Sequence, residues 1–220
     1  MFKYTSLIIL IRGIHMYLQA VKRPFSNKKR LIWGAVLLFF PIINFFFFGY
    51  LYECARRSYA GKNELPRWQN YGHLFLTGLK MFLISLIYAI PVYFLLALAS
   101  TFYLAIDDLL GFPLYLICIL IMYLLPIALI NFTMYGKFSF AFKHIIKRAF
   151  TWLYLKTLLK LILLLIPYLL FNFVVGFLIF SVLASVDWLM YLMSVSVLSI
   201  VSAAYQITSF TILAKIYRKL

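Results

Sequence analysis

Acidic side chains are almost missing from this sequence. Five Asp and Glu stand in 220 residues against 21 Lys and Arg, and charged residues of both signs make up only 12% of the chain. A soluble domain is about a quarter charged, so there is too little polar surface here to coat a globule. No Asp, Glu or Arg and no mid-span Lys falls inside the apolar runs near 81–105, 113–135, 157–180 and 189–214, which argues against a proton-coupled carrier with a carboxylate relay. Glu64 and His73 share one loop, but no nucleophile or oxyanion group accompanies them. Cysteine is equally scarce: Cys54 and Cys118 supply no disulfide framework and read as small buried apolar residues. His15, His73 and His144 lie far apart with no Cys or acid at ligand spacing, so neither a zinc site nor any cofactor is expected. Asp107-Asp108 reads as a capping pair in a tight turn rather than a cation site. Lys3 precedes an apolar run that Arg12 cuts short, without a small-residue cleavage site, so no removable signal is expected. Catalysis is therefore not expected.

What fills the chain instead is hydrophobic: 66% of residues, with 20% aromatic. Lipid must be the solvent, and the length allows one membrane domain. The net charge of +16 would suggest nucleic acid in a soluble protein, but here the basic residues sit in short runs between apolar stretches. That pattern follows the positive-inside rule and predicts anionic membrane lipids as partners, not nucleic acid.

Residues 1–24 read as an interfacial amphipathic helix. Tyr4, Leu7, Ile11, Ile14, Leu18 and Val21 share one face, Arg12, His15, Gln19 and Lys22 another, and Pro24 ends it. Residues 25–220 read as a single polytopic membrane domain. Four apolar runs reach the roughly 20 residues a crossing needs, near 81–105, 113–135, 157–180 and 189–214. The connectors 106–112 and 181–188 hold Asp107, Asp108 and Asp187 with no Lys or Arg, whereas the segments around 56–80 and 137–156 are basic and aromatic.

A further apolar run, Leu31 to Cys54, decides the topology. Lys and Arg number seven in residues 1–30, five in 51–80, six in 137–160 and three in 215–220. Were Leu31–Cys54 a crossing, seven charges would face one side and fourteen the other. If the run dips in and returns at Pro41-Ile42-Ile43-Asn44, all 21 lie on one side. The sequence thus predicts an all-α integral membrane protein: a re-entrant half-helix hairpin packed inside the bundle, four transmembrane helices, amphipathic helices on the cytosolic side, and both termini cytosolic. A shift of 76 residues lays Leu79-Lys80 on Leu155-Lys156 and Ile90-Pro91 on Ile166-Pro167. Duplication of about 51–112 as 127–188, or a shared grammar of membrane helices, explains it.

The most distinctive stretch runs Gly49-Tyr50, Arg56, Gly61, Leu65-Pro66-Arg67-Trp68, Phe75 and Gly78-Leu79-Lys80. With Phe138–Phe150 and Tyr217-Arg218, it resembles a bacterial and archaeal membrane protein family, domain of unknown function 4013. The resemblance covers most of the chain from about residue 20 and implies a bacterial or archaeal cell membrane, with no activity attached. It departs at Arg67, where an acidic residue is common in the family. Physically, Gly49 allows close helix approach, Glu53 and Arg57 are spaced as a helical ion pair, Gly61 suits a cap, and Trp68 and Tyr71 suit the headgroup level.

Two sets of candidate site residues follow. Arg56, Arg57, Arg67 and Trp68, with Lys143, Lys147 and Arg148 on an expected interfacial helix over 137–150, could dock headgroups or a partner. Asn44, Asn131, Asn172, Ser196 and Ser199 are polar residues within apolar runs; the last two, with Ala203 and Gln206, form a stripe. The leading expectation is a non-enzymatic protein that binds within the bilayer, as a membrane-stress or antimicrobial-peptide-protection factor or an accessory subunit. The alternative is a transport component, a permease subunit working with a transport ATPase or a small channel or carrier. A homo-oligomer is also open.

Overall fold

The computed structural model describes residues 15–40, 42–105, 108–183 and 187–218, and among them it is all helical. Residues 15–22 are helical (α1), followed by the short 3-10 turn Pro24–Ser26. Then come α2 (Lys28–Phe39), α3 (Asn44–Tyr59), α4 (Tyr71–Ala105), α5 (Asp108–Tyr135), a 3-10 turn Phe138–Ala141, α6 (Ile145–Ala149), α7 (Trp152–Leu183) and α8 (Asp187–Tyr217). Four of these contain windows long and apolar enough to cross a membrane: Tyr71–Ser100, Phe112–Tyr135, Trp152–Val175 and Ser196–Tyr217.

The expected break in the first apolar run divides it into α2 and α3. Asn27 starts α2, its side chain accepting from the Arg30 N–H at 3.1 Å. Phe40 ends it in extended backbone (φ −102°, ψ 122°), as the clash of a proline ring with the preceding residue favours; Pro41 itself lies outside the described residues. The two helices pack on each other, Gly34 facing Phe47 so closely that a Cβ would meet the ring at 2.9 Å. At 12 residues, α2 is about 18 Å long.

The hairpin leans on α4 and α8. A Cβ on Gly49 would stand 1.9 Å from the Leu74 carbonyl oxygen, and one on Gly78 1.8 Å from that of Phe45. These two glycines let α3 and α4 touch backbone to backbone. Next to them Phe45 and Phe46 pack on Phe75, with ring centroids 5.7 and 5.3 Å apart. Leu31, Ala35, Phe47, Leu51 and Cys54 form one core with Ala203, Ala204 and Ile207 of α8. Half of the apolar window of α8 is buried against 6% for α7, so α8 is the central post and α7 the peripheral helix.

Several expectations are corrected. The hairpin is not enclosed by the bundle: Phe40, Ile42 and Ile43 at its tip are exposed, Ile42 at 74%. At the tip, Phe40 C=O accepts from Asn44 N–H at 2.9 Å and Ile43 C=O from Phe46 N–H at 3.1 Å, while Asn44 Oδ1 is buried without a partner among the described residues. Residues 137–150 are not one helix. His144 adopts the left-handed region (φ 56°) and separates the 3-10 turn from the five-residue α6. α5 is described from Asp108 and α8 from Asp187; Asp107, expected in the first acidic connector, lies outside the described residues. At the basic end α4 and α7 begin earlier than hydropathy indicated, at Tyr71 and Trp152. Of the helix expected over 1–24, residues 1–14 lie outside the described residues. In the remainder Ala20 is buried while Leu18, assigned to the apolar face, is 49% exposed.

The glycine contact gives a direct test. Gly78→Ala should lower the thermal midpoint in detergent, at a cost of about 1–3 kcal/mol for overpacking. Gly72→Ala, where a Cβ meets nothing within 4 Å, should be neutral or slightly stabilising. Equal midpoints for the two variants would contradict the backbone contact.

Candidate functional site

The basic end of the bundle is built around two arginines. Arg23, between α1 and the 3-10 turn, is 3% exposed. Its Nη1 donates to Cys54 O at 3.0 Å, to Thr211 Oγ1 at 2.8 Å and to Ser58 Oγ. Nε donates to Asn63 O and Nη2 to Glu64 O, each at 3.0 Å. One guanidinium therefore ties together the end of α1, the last turns of α3, the 61–70 loop and α8. The hydroxyls can accept because each donates within its own helix, Ser58 to Cys54 O at 2.8 Å and Thr211 to Ile207 O at 2.7 Å. Burial lowers the pKa of Arg23 from its ordinary value, but guanidinium starts so high that it stays charged. The carbonyl end of α3, with its negative dipole pole, favours that charge.

The family-like motif closes the hairpin beside Arg23. Gly61 (φ 80°) caps α3: Lys62 N–H reaches Arg57 O at 2.8 Å and Gly61 N–H reaches Ser58 O at 3.0 Å, the paired bonds of a Schellman motif. Arg30 Nη1 then donates to Leu65 O at 2.5 Å, Tyr50 Oη to Pro66 O at 3.2 Å and Trp68 Nε1 to Arg30 O at 3.3 Å. Trp68 stacks on Tyr50 with centroids 4.0 Å apart. Leu65-Pro66-Arg67-Trp68 is thus a clip joining the start of α2 to the middle of α3 at Tyr50, with Arg67 exposed.

Arg148 organises the second centre. Its Nη1 donates to Asn131 Oδ1 at 2.8 Å and to the Tyr217 hydroxyl, its Nη2 to the Tyr135 hydroxyl at 3.2 Å. The guanidinium lies 4.7 Å over the Tyr217 ring, a cation–π contact. Fully buried Asn131 also donates to Lys143 O at 3.2 Å, holding the segment around left-handed His144 against α5. Lys147 is exposed, and Lys143 Nζ stands 5.5 Å over the Phe140 ring.

The structure thus unites Lys143, Lys147, Arg148 and Asn131 from the sequence candidates, and assigns Trp68 to the clip. Arg56 is exposed, 5.8 Å over Tyr52. The expected Glu53–Arg57 pair is not made; Glu53 instead faces His73 Nδ1 at 3.8 Å, because the α3–α4 contact brings His73 to it. The polar residues within the apolar runs do not meet in one passage. Asn44 opens α3 near the hairpin tip, and Asn172 donates to Tyr168 O of its own helix at 3.0 Å. Ser196 and Ser199 line a groove of about 330 Å³ between α2 and α8. Ala203 is buried in the core, and Gln206 donates to Ser202 Oγ at 3.1 Å. Among the described residues no three His, Cys, Asp or Glu side chains gather, and Cys54 and Cys118 are free and buried. Arg23 was missed by sequence reasoning; nothing marks it among the seven basic residues of its zone, and its acceptors lie 31 to 188 positions away.

Four apolar helices, a helical hairpin clipped shut at its base and a basic end organised by arginines define a multi-pass helical membrane protein. Residues 35–184 match the family described as Protein of unknown function (DUF4013), and the chain belongs to it. No curated protein and no solved structure matches the chain.

Replacing Arg23 should be among the most damaging single changes. Arg23→Met should leave buried carbonyls unpartnered and cost about 1.5–3 kcal/mol or more. Arg23→Lys should recover only part of this, since an ammonium cannot reach acceptors spread around a planar fork. By contrast Arg57→Ala should leave the thermal midpoint within a degree or so, Glu53 being held elsewhere. A wild-type midpoint for Arg23→Met would overturn the assigned role.

Proposed function

We propose that this is a non-enzymatic cell-membrane protein that acts by binding within the bilayer and at its cytosolic headgroup layer, with anionic lipids as its direct partners. It would serve as a membrane-stress or peptide-protection factor or as an accessory subunit. In this reading α2 and α3 form a re-entrant hairpin, α4, α5, α7 and α8 cross the membrane, and both termini are cytosolic. The observation that carries it is the closure of the hairpin base, where Arg23 and Arg30 bond residues 63–65. A run that begins and ends at one level cannot have crossed, and α2, about 18 Å long, falls short of a core roughly 30 Å thick. With that parity all 21 Lys and Arg face the cytosol, among the exposed aromatics Tyr71, Phe150 and Trp152, an arrangement suited to an anionic leaflet.

A transport role has less support. Asn131 is committed to Arg148 and Lys143 O, and Asn172 bonds within its own helix, so the two do not converge on one polar route.

Two measurements test the proposal. With Cys54 and Cys118 replaced by Ala, Asp107→Cys and Asp187→Cys should react with an impermeant thiol reagent on intact cells, while Lys62→Cys and Lys143→Cys should not. External labelling at residue 62 would remove the re-entrant hairpin. The purified protein, equilibrated with equal phosphatidylglycerol and phosphatidylcholine, should retain the anionic lipid preferentially; equal retention would mean that the basic charge only sets topology.

A further inference from the structure

We infer that a discrete site for one anionic phospholipid lies between α5 and α7, with its headgroup beside Lys147 and an acyl chain in the adjoining groove. The inference rests on the lipid-binding reading above and gives it an address. Two cavities meet at Thr151, which lines both. The first, about 510 Å³, is walled by Tyr135, Phe140, His144, Lys147 and Arg148. The second, about 450 Å³, is apolar, bounded by Leu116, Leu120 and Tyr123 of α5 and by Phe150, Trp152 and Leu155.

Their arrangement matches an amphiphile in both polarity and direction. Tyr135 ends α5 at the basic face, and Tyr123 lies twelve residues back along it, roughly 18 Å toward the outer side. A lipid with its phosphate in the basic cavity would therefore run its chain along the groove in the direction of the bilayer interior. The groove exists because α6 holds the start of α7 off α5: Tyr123 Oη donates to Ala149 O, and Tyr154 Oη returns to Tyr123 O at 2.9 Å.

Charge selects the headgroup. Arg148 is satisfied only by neutral oxygens, of Asn131, Tyr135 and Tyr217. Among the described residues the one contact at ion-pair distance is Glu53 with His73 at 3.8 Å, and no described carboxylate pairs with Lys147 or Arg148. A zwitterionic lipid could offer its phosphate, but its ammonium would find no acid and would meet the cations. A lipid with net negative charge avoids that repulsion.

The test uses the full-length protein equilibrated with equal phosphatidylglycerol and phosphatidylcholine, bound lipid being counted by native mass spectrometry. Exposed Lys147 tolerates change without unfolding, which thermal melts verify. Lys147→Glu should lower phosphatidylglycerol retention by about fivefold or more, the order expected for one basic side chain at an anionic surface, and Lys147→Arg should preserve it. Leu120→Trp, filling the tail groove, should reduce retention comparably, whereas Lys62→Glu, of equal charge change on the 61–70 loop, should not. Equal losses from Lys62→Glu and Lys147→Glu would overturn the site in favour of diffuse charge. Full retention in Leu120→Trp, with millimolar glycerol phosphate displacing the lipid, would instead mark a pocket for soluble phosphates and overturn the lipid assignment. If the wild type prefers phosphatidylglycerol but neither Lys147→Glu nor Leu120→Trp changes this, only the site fails. If it shows no preference, the broader reading fails with it.

Discussion

A guanidinium buried almost completely among neutral oxygens is the constraint on which this architecture turns. Moving a cation out of water costs several kcal/mol even after relaxation, and the usual remedy, a carboxylate, is scarce in a chain with five acids. Arg23 is solvated instead by three backbone carbonyls and two hydroxyls. Such a shell has to be assembled from several elements at once, since no single helix can free that many acceptors. Its members come from α3, α8 and the 61–70 loop, so satisfying the charge forces these to converge. Convergence closes the hairpin base, and in the proposed topology that closure keeps the first apolar run from counting as a crossing and sets the direction of every later helix.

Once the base is closed, packing above it relies on shape. Between helices surrounded by lipid the hydrophobic effect supplies little, and close contact must hold them. Gly49 and Gly78 meet that need by bringing α3 and α4 to backbone contact, and Ala203 and Ala204 fit α8 against the hairpin. The peripheral α7 lacks an equivalent seam with α5. Tyrosine hydroxyls reaching Ala149 O and Tyr123 O bridge that gap, which leaves a groove where a tightly packed bundle would have none.

How far the sequence discloses this depends on the range of each signal. The four long helices follow from local hydropathy, and the break after Phe39 from a proline acting on the residue before it. The motif Leu65-Pro66-Arg67-Trp68 was noticeable in sequence, as was Tyr50, but their pairing with each other and with Arg30 was not, because a stacked ring and a carbonyl leave no periodic trace. The left-handed residue inside 137–150 escaped for a related reason. Helical spacing of Phe138, Phe142, Ile145 and Ala149 describes which positions could share a face, and says nothing of a backbone reversal at His144 held by Asn131. Glu53 illustrates the same limit: spacing offered Arg57, and tertiary approach supplied His73. Arg23 was the least legible residue, since its role resides entirely in contacts distant along the chain.

The scarcity of acids also links the packing of the helices to the charge of the basic end. An arginine paired with an aspartate would hold a fold equally well, but the pair would present no net charge to its surroundings. Arg23 and Arg148 are held by carbonyls, an amide and hydroxyls, groups that donate polarity without cancelling charge. The same side chains that lock the helices therefore leave the basic end strongly positive. Were it to face an anionic leaflet, as proposed, that uncancelled charge would become a means of recognition, and at Lys147 it borders the groove between α5 and α7. On the lipid-binding reading, stability and recognition are not separate features distributed over the surface. They are two consequences of solvating the two arginines with neutral partners, and introducing an acid next to either would keep the first and weaken the second.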